Sequence, residues 1–182
     1  MLFRSLNTPW DITILGGGVY VAADGWVMRY DGNLNGETYF LSLPVYSVGY
    51  LAAGTDGKLY VGQQSYSAPS SRLIEQVTTA GARTTIVDSA ALDGMLLDLA
   101  VSADGLLYAM VGRLTQTGDY DCVVRVFNTS GVYQNLEFGV GAMGGWDATP
   151  SIEIGPDDRL YVSSPGEDRK STRLNSSHRI RY

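Results

Sequence analysis

Asp11, Asp98 and Asp147 are the side chains of this sequence whose type and spacing best suit shared chemistry. Asp98 stands ten residues before Tyr108 and Asp11 nine before Tyr20, while Trp146-Asp147-Ala148-Thr149 echoes Trp10-Asp11-Ile12-Thr13. Three carboxylates converging from separate elements would suit a hard cation such as Ca²⁺, which takes oxygen ligands. A pair of them would suit acid–base work. An aspartate at such a place can equally cap a turn or accept a local backbone N–H. Tyr50 and Ser151 hold the corresponding places ahead of Tyr60 and Tyr161. Trp10 and Trp146 suit either stacking on a sugar ring or packing between elements. The candidate ligand-binding residues are therefore Trp10, Tyr50, Asp98 and Trp146, and the candidate metal ligands are Asp11, Asp98 and Asp147. Tyr46, Tyr50, Tyr66 and Tyr120 are expected in loops, as an aromatic contact surface.

Other chemistries are narrowed by what the chain lacks. Its single histidine, His178, falls near the C-terminal end, so residues 6–167 hold no Ser–His–Asp triad, histidine proton shuttle or histidine metal ligand. Cys122 is the only cysteine and supports neither a disulfide framework nor a thiolate metal site. Gly16-Gly17-Gly18 does not lead into a Lys-Ser pair and is not a phosphate loop. Asn128-Thr129-Ser130 is a glycosylation sequon in form but reads as turn chemistry. The formal net charge is −6, and five of the thirteen Lys+Arg against one of the nineteen Asp+Glu lie in residues 168–182. What precedes them is more acidic still, and a nucleic-acid partner is excluded because phosphate binding needs a basic surface. No apolar run reaches the ~18 residues needed to span a bilayer.

The elements that must position these residues recur. TDGKLYV (55–61), SADGLLYAM (102–110) and GPDDRLYV (155–162) are near copies of one hairpin, and GGGVYVAA (16–23) is a looser one. Aligned on Tyr20, Tyr60, Tyr108 and Tyr161, the intervals are 40, 48 and 53 residues, a period belonging to four-stranded blades around an axis. Asp-Gly supplies the positive φ that tight hairpins need. Apolar runs such as LLDLAV (96–101) suit strands covered on both faces. The sequence LLDLAV, LLYAMV (106–111), a polar loop over 112–121, CVVRVF (122–127) and VYQNLEF (132–138) predicts one four-stranded meander. No window carries a helical apolar stripe. The expectation is an all-β partial β-propeller of about three and a half antiparallel blades, over 6–43, 44–88, 89–139 and an incomplete 140–167. An open β-sandwich with repeated hairpins is the alternative.

These hairpins, with VVRVFNTSGVYQNLEFG (123–139) and WVMRYDGNLNG (26–36), resemble bacterial six- to eight-bladed propellers of the NHL and gluconolactonase-like kind. The resemblance implies a non-enzymatic module that binds a small polar ligand or a protein at the channel face. It implies as the alternative a Ca²⁺- or Mn²⁺-dependent hydrolase of the sugar-lactone type, with Asp98 and Asp147 among the ligands. A bacterial cell-envelope or extracellular location is favoured over the cytoplasm.

Residues 168–178, DRKSTRLNSSH, translate a sequencing-library adapter, and MLFRS at the start fits the other adapter junction. Residues 1–5 and 168–182 are accordingly expected to be adapter-derived, the latter as a disordered tail, with the propeller fragment between them. Unclosed, such a fragment is expected to aggregate or self-associate through its unpaired ends.

Overall fold

The computed structural model describes residues 9–23, 25–44, 47–65, 72–143 and 150–163. Among these, fourteen strands form four antiparallel sheets in strict chain order. The first holds β1 (Pro9–Leu15), β2 (Gly18–Ala23), β3 (Trp26–Tyr30) and β4 (Thr38–Ser42). The second holds β5 (Ser47–Ala53), β6 (Leu59–Ser65), β7 (Leu73–Val77) and β8 (Arg83–Val87). The third holds β9 (Met95–Val101), β10 (Leu106–Leu114), β11 (Tyr120–Asn128) and β12 (Tyr133–Met143), and β13 (Ser151–Ile154) pairs with β14 (Leu160–Ser163) in the last. First strands follow one another, β1 against β5, β5 against β9 and β9 against β13. That stacking of antiparallel meanders, three of them four-stranded, by their first strands is a β-propeller arc.

One hairpin construction is used seven times. The turns at 31–35, 54–58, 78–82, 102–106, 115–119, 128–132 and 155–159 share a bond from the first N–H to the fifth carbonyl. They also share one from the fourth N–H to the first carbonyl. The fourth residue sits in the left-handed region every time, and it is glycine except at Leu34 (φ 60°) and Asp158 (φ 57°). Asp158 keeps its place by using its carboxylate, which accepts the Ala103 N–H of the preceding sheet's turn at 3.0 Å. The Thr55 hydroxyl donates to the Ala103 carbonyl at 3.2 Å, so the turns of three successive sheets are tied together.

The polar stretch 112–121 is not an open loop. β10 runs on to Leu114, the Thr115–Asp119 turn reverses the chain, and β11 starts at Tyr120. Side-chain bonding by Thr115, Thr117 and Asp119 replaces the apolar density that marks the other hairpins. A single helical turn, α1 (Ser89–Leu92), joins the second sheet to the third, with the Asp88 carboxylate capping the Ala91 N–H at 2.8 Å. It forms because a capped turn needs no apolar stripe of its own; Leu92 alone is buried.

The core lies between the sheets, in layers. Tyr20, Ala22 and Leu41 meet Leu51, Leu59 and Val61 in the first layer. Tyr60, Ile74 and Val87 meet Leu96, Leu99, Leu107 and Phe127 in the second. Met95, Leu97, Met110, Cys122 and Val124 meet Ile152 in the third. At Gly62, an added Cβ would lie 2.5 Å from methyls of both Leu96 and Leu99, so this strand glycine lets the inner strands of the second and third sheets pack closely. The face of the first sheet turned away from the second leaves Ile12 and Ile14 exposed at 62% and 68%.

The repeated tyrosine and the turn aspartate four residues before it form a unit. The Tyr60 hydroxyl donates to Asp56 at 3.0 Å and accepts from the Gln76 amide at 2.9 Å, and Tyr161 donates to Asp157 at 3.3 Å. Gly16 replaces that aspartate in the first copy, and the buried Tyr20 hydroxyl is left without a partner. Removing a satisfied hydroxyl costs about 1 kcal/mol, whereas an orphaned one is a penalty already incurred. Tyr60→Phe is therefore expected to lower the urea midpoint, and Tyr20→Phe to leave it unchanged or raise it.

Candidate functional site

Asp11, Tyr50, Asp98 and Ser151 occupy one pairing position in four successive sheets. They lie opposite Ala22, Gly62, Met110 and Ser163, each two residues beyond the repeat tyrosine. The shorter Gly16-Gly17 turn accounts for the nine-residue spacing of Asp11. Next along each first strand stand Ile12, Leu51, Leu99 and Ile152, again equivalent.

The two aspartates serve all four of those neighbouring N–H groups. Asp11 accepts from Ile12 N at 2.7 Å through Oδ1 and from Leu51 N, in the next sheet, at 2.6 Å through Oδ2. Asp98 accepts from Leu99 N at 2.8 Å through Oδ1 and from Ile152 N, again in the next sheet, at 2.8 Å through Oδ2. A first strand has no partner on its channel side, so its outward N–H groups need acceptors. One carboxylate with two oxygens supplies two sheets, and the clasp falls on every other blade. Between the second and third sheets the link is different: the Gln64 Oε1 accepts the Leu96 N–H at 3.1 Å.

Burial makes these carboxylates hard to ionise. Desolvation pushes Asp98 up to about 7, against the two backbone bonds that pull it down, and the charges of Asp11 and Glu153 push it further up. Asp11 is raised for the same leading reason, opposed by its bonds from Leu51 and Ile12 and reinforced by Glu153. Asp11, Asp98 and Glu153 thus share one field on the channel side. Among the described residues, no three His, Cys, Asp or Glu side chains gather closely enough to hold a metal ion. Asp147 and Trp146 lie outside the described residues.

Tyr50 sits in β5, half-buried against the layer between the second and third sheets. Tyr120 likewise belongs to a strand, β11. Both were expected in loops, and the turn economy of the fold moves them into sheets; Tyr46 and Tyr66 lie outside the described residues. Trp10 is half-exposed (50%) in β1 and joins none of the buried clusters.

A second polar assembly had no sequence signal. A cleft of ≈ 520 Å³ opens where β9 begins and β10 ends, lined by Arg72, Asp93, Met95, Arg113, Leu114 and Tyr120. Arg113 grips Glu137 with both terminal nitrogens at 2.6 and 2.8 Å and reaches Asp93 at 2.9 Å. Arg125 lies behind, 3.3 Å from Glu137, with its guanidinium 4.4 Å over the Tyr133 ring. The bond from Arg113 holds the Glu137 carboxyl below its ordinary range. Arginines just before β7 (Arg72), in β10 (Arg113) and in β11 (Arg125) carry no motif, so only the fold brings them together.

These sheets define the chain as part of a β-propeller. No protein-family model matches the sequence, and no curated protein does either. Among solved structures the chain is similar to a bifunctional GH43-CE protein of Bacteroides eggerthii, with a TM-score of 0.53 at 15% identity over 83% of this chain. The match spans about a fifth (21%) of that protein's length, and it is a likeness of fold. Among the described residues no helix is long and apolar enough to cross a membrane.

Proposed function

We propose that the chain is a non-catalytic ligand- or protein-binding module, a β-propeller fragment of NHL or gluconolactonase-like type from a larger bacterial protein. One observation carries this reading. Both oxygens of Asp11 and of Asp98 are engaged by backbone N–H groups that hold neighbouring first strands together. A carboxylate so occupied is a strut between blades, with little left to ligate a metal or move a substrate proton. Binding then falls to the strand-start end of the sheets, where the cleft opens.

A Ca²⁺- or Mn²⁺-dependent hydrolase is the second reading, favoured by the field that Asp11, Asp98 and Glu153 share. Mutual repulsion of that kind is relieved by a cation. The two readings separate on heating. Millimolar Ca²⁺ or Mn²⁺ is expected to leave the melting temperature of the full chain within about 1 °C, whereas binding at 100 times Kd would add about 2.7 kcal/mol and raise it by several degrees. A rise of several degrees that disappears in Asp11→Asn and Asp98→Asn would move the assignment to the hydrolase.

A further inference from the structure

We infer that the cleft between the second and third sheets is an oxyanion-binding site, built to take the carboxylate or phosphate of a small polar ligand on Arg72 and Arg113. The inference deepens the binding-module reading by naming a ligand class and a place for it. Arg72 is the observation from which it starts. Its Nε is buried with no hydrogen-bond partner, and among the described residues its guanidinium makes no ion pair. Arg83, Arg113, Arg125 and Arg159 all have a carboxylate in ion-pair range, Arg125 included although its buried Nε also lacks a hydrogen bond. A guanidinium cannot shed its charge, and its fork of donors matches an oxyanion's geometry. A desolvated donor without an acceptor is rare unless something else supplies one.

The surroundings fit that missing acceptor. In a chain of net charge −6, three guanidiniums (Arg72, Arg113 and Arg125) gather here against two carboxylates, Asp93 and Glu137. Arg113 is fixed at the cleft wall by Glu137, by the Asp93 carbonyl and by the Asp93 carboxylate, which occupy most of its N–H donors. Arg72 is therefore the principal anion donor, and Arg113 adds its remaining N–H without a rotamer search. Met95, Leu114 and the Tyr120 ring supply apolar wall, and ≈ 520 Å³ falls within the usual span of small-molecule sites. Gly94 and Gly112 keep the floor close: a Cβ on Gly94 would lie 2.9 Å from the Gly112 carbonyl.

The test is calorimetric titration of the full chain at low ionic strength with three probes of one ring size: D-glucuronate, D-glucose 1-phosphate and D-glucose. Saturable binding of at least one anionic sugar is expected, with no heat from glucose, and the preferred anion tells carboxylate from phosphate. Arg72→Gln is expected to weaken that binding about tenfold or more, the size of a lost charge-assisted contact. Because Arg72 has no partner to lose, the variant should melt with the wild type. Raising the salt must also weaken binding, a readout that needs no variant. Binding of glucose as tight as glucuronate, affinity indifferent to Arg72→Gln or to salt, or silence from both anions would each overturn the site. Failure of the binding-module reading is seen separately, in the cation-dependent melting shift.

Discussion

Asp98→Ala is expected to destabilise the chain more at pH 5 than at pH 8. In the folded chain Asp98 titrates at about 7, chiefly because it is buried, against 3.8 when unfolded. Between those values the folded state holds a proton that the unfolded state has released. Stability from this group is therefore complete below about pH 4 and is lost as pH rises through about 7. Three units at about 1.4 kcal/mol each set an upper bound of about 4 kcal/mol for the swing. Alanine abolishes the titration and also strands the Leu99 and Ile152 N–H groups, at about 1–3 kcal/mol each when no water replaces the carboxylate. At pH 8 the wild type already bears the cost of a desolvated charge, so less is lost. Asp11, raised for the same leading reason, should leave a slope of the same sign in the variant. Urea unfolding of both proteins at the two pH values decides it. An equal loss at both would mean that Asp98 ionises in the folded chain as freely as in water.

Among the described glycines, Gly131→Ala is expected to be the most damaging substitution, and Gly81→Ala its control. The two glycines hold the same place in the same kind of turn, at φ 83° and 87°. Both variants incur about 1–2 kcal/mol for putting an L-residue in the left-handed region. Nothing lies within 4 Å of a Cβ on Gly81, so its loss should stop there. A Cβ on Gly131 would sit 1.9 Å from the Ile86 carbonyl oxygen, backbone that cannot swing aside. The β11–β12 hairpin must then lift off β8, and the expected loss exceeds that of Gly81→Ala by about 1–3 kcal/mol or more, the cost of overpacking. Equal midpoints for the two variants in urea would show that the outer strands of neighbouring sheets part easily.

The hairpins were the legible part of this fold because their turn chemistry and their tyrosine repeat together. Counting back from Tyr60, Tyr108 and Tyr161 locates Tyr50, Asp98 and Ser151 on equivalent rungs, since a strand pairing at fixed register keeps sequence distance. What the aspartates do there was not legible, because the acceptor role depends on the next sheet's first strand lying within 3 Å, 40 and 54 residues away. The Thr115–Asp119 hairpin escaped notice for a local reason: hydroxyls and a carboxylate hold it, so it looks like solvent-exposed loop. Arg72 escaped for the opposite reason. Its distinction is the absence of a partner, a property of no residue type.

The alternating carboxylates also make the arc readable one joint at a time. Each accepts, through its two oxygens, one amide N–H inside its own sheet and one across the seam: Ile12 and Leu51 for Asp11, Leu99 and Ile152 for Asp98. Within a pair the acceptor is common, so its protonation and solvation act on both amides alike. The ratio of their exchange rates with deuterated solvent then isolates the breathing of the seam itself. Leu51 against Ile12 gauges the first seam and Ile152 against Leu99 the third, two built-in clocks for how a solenoid of sheets comes apart.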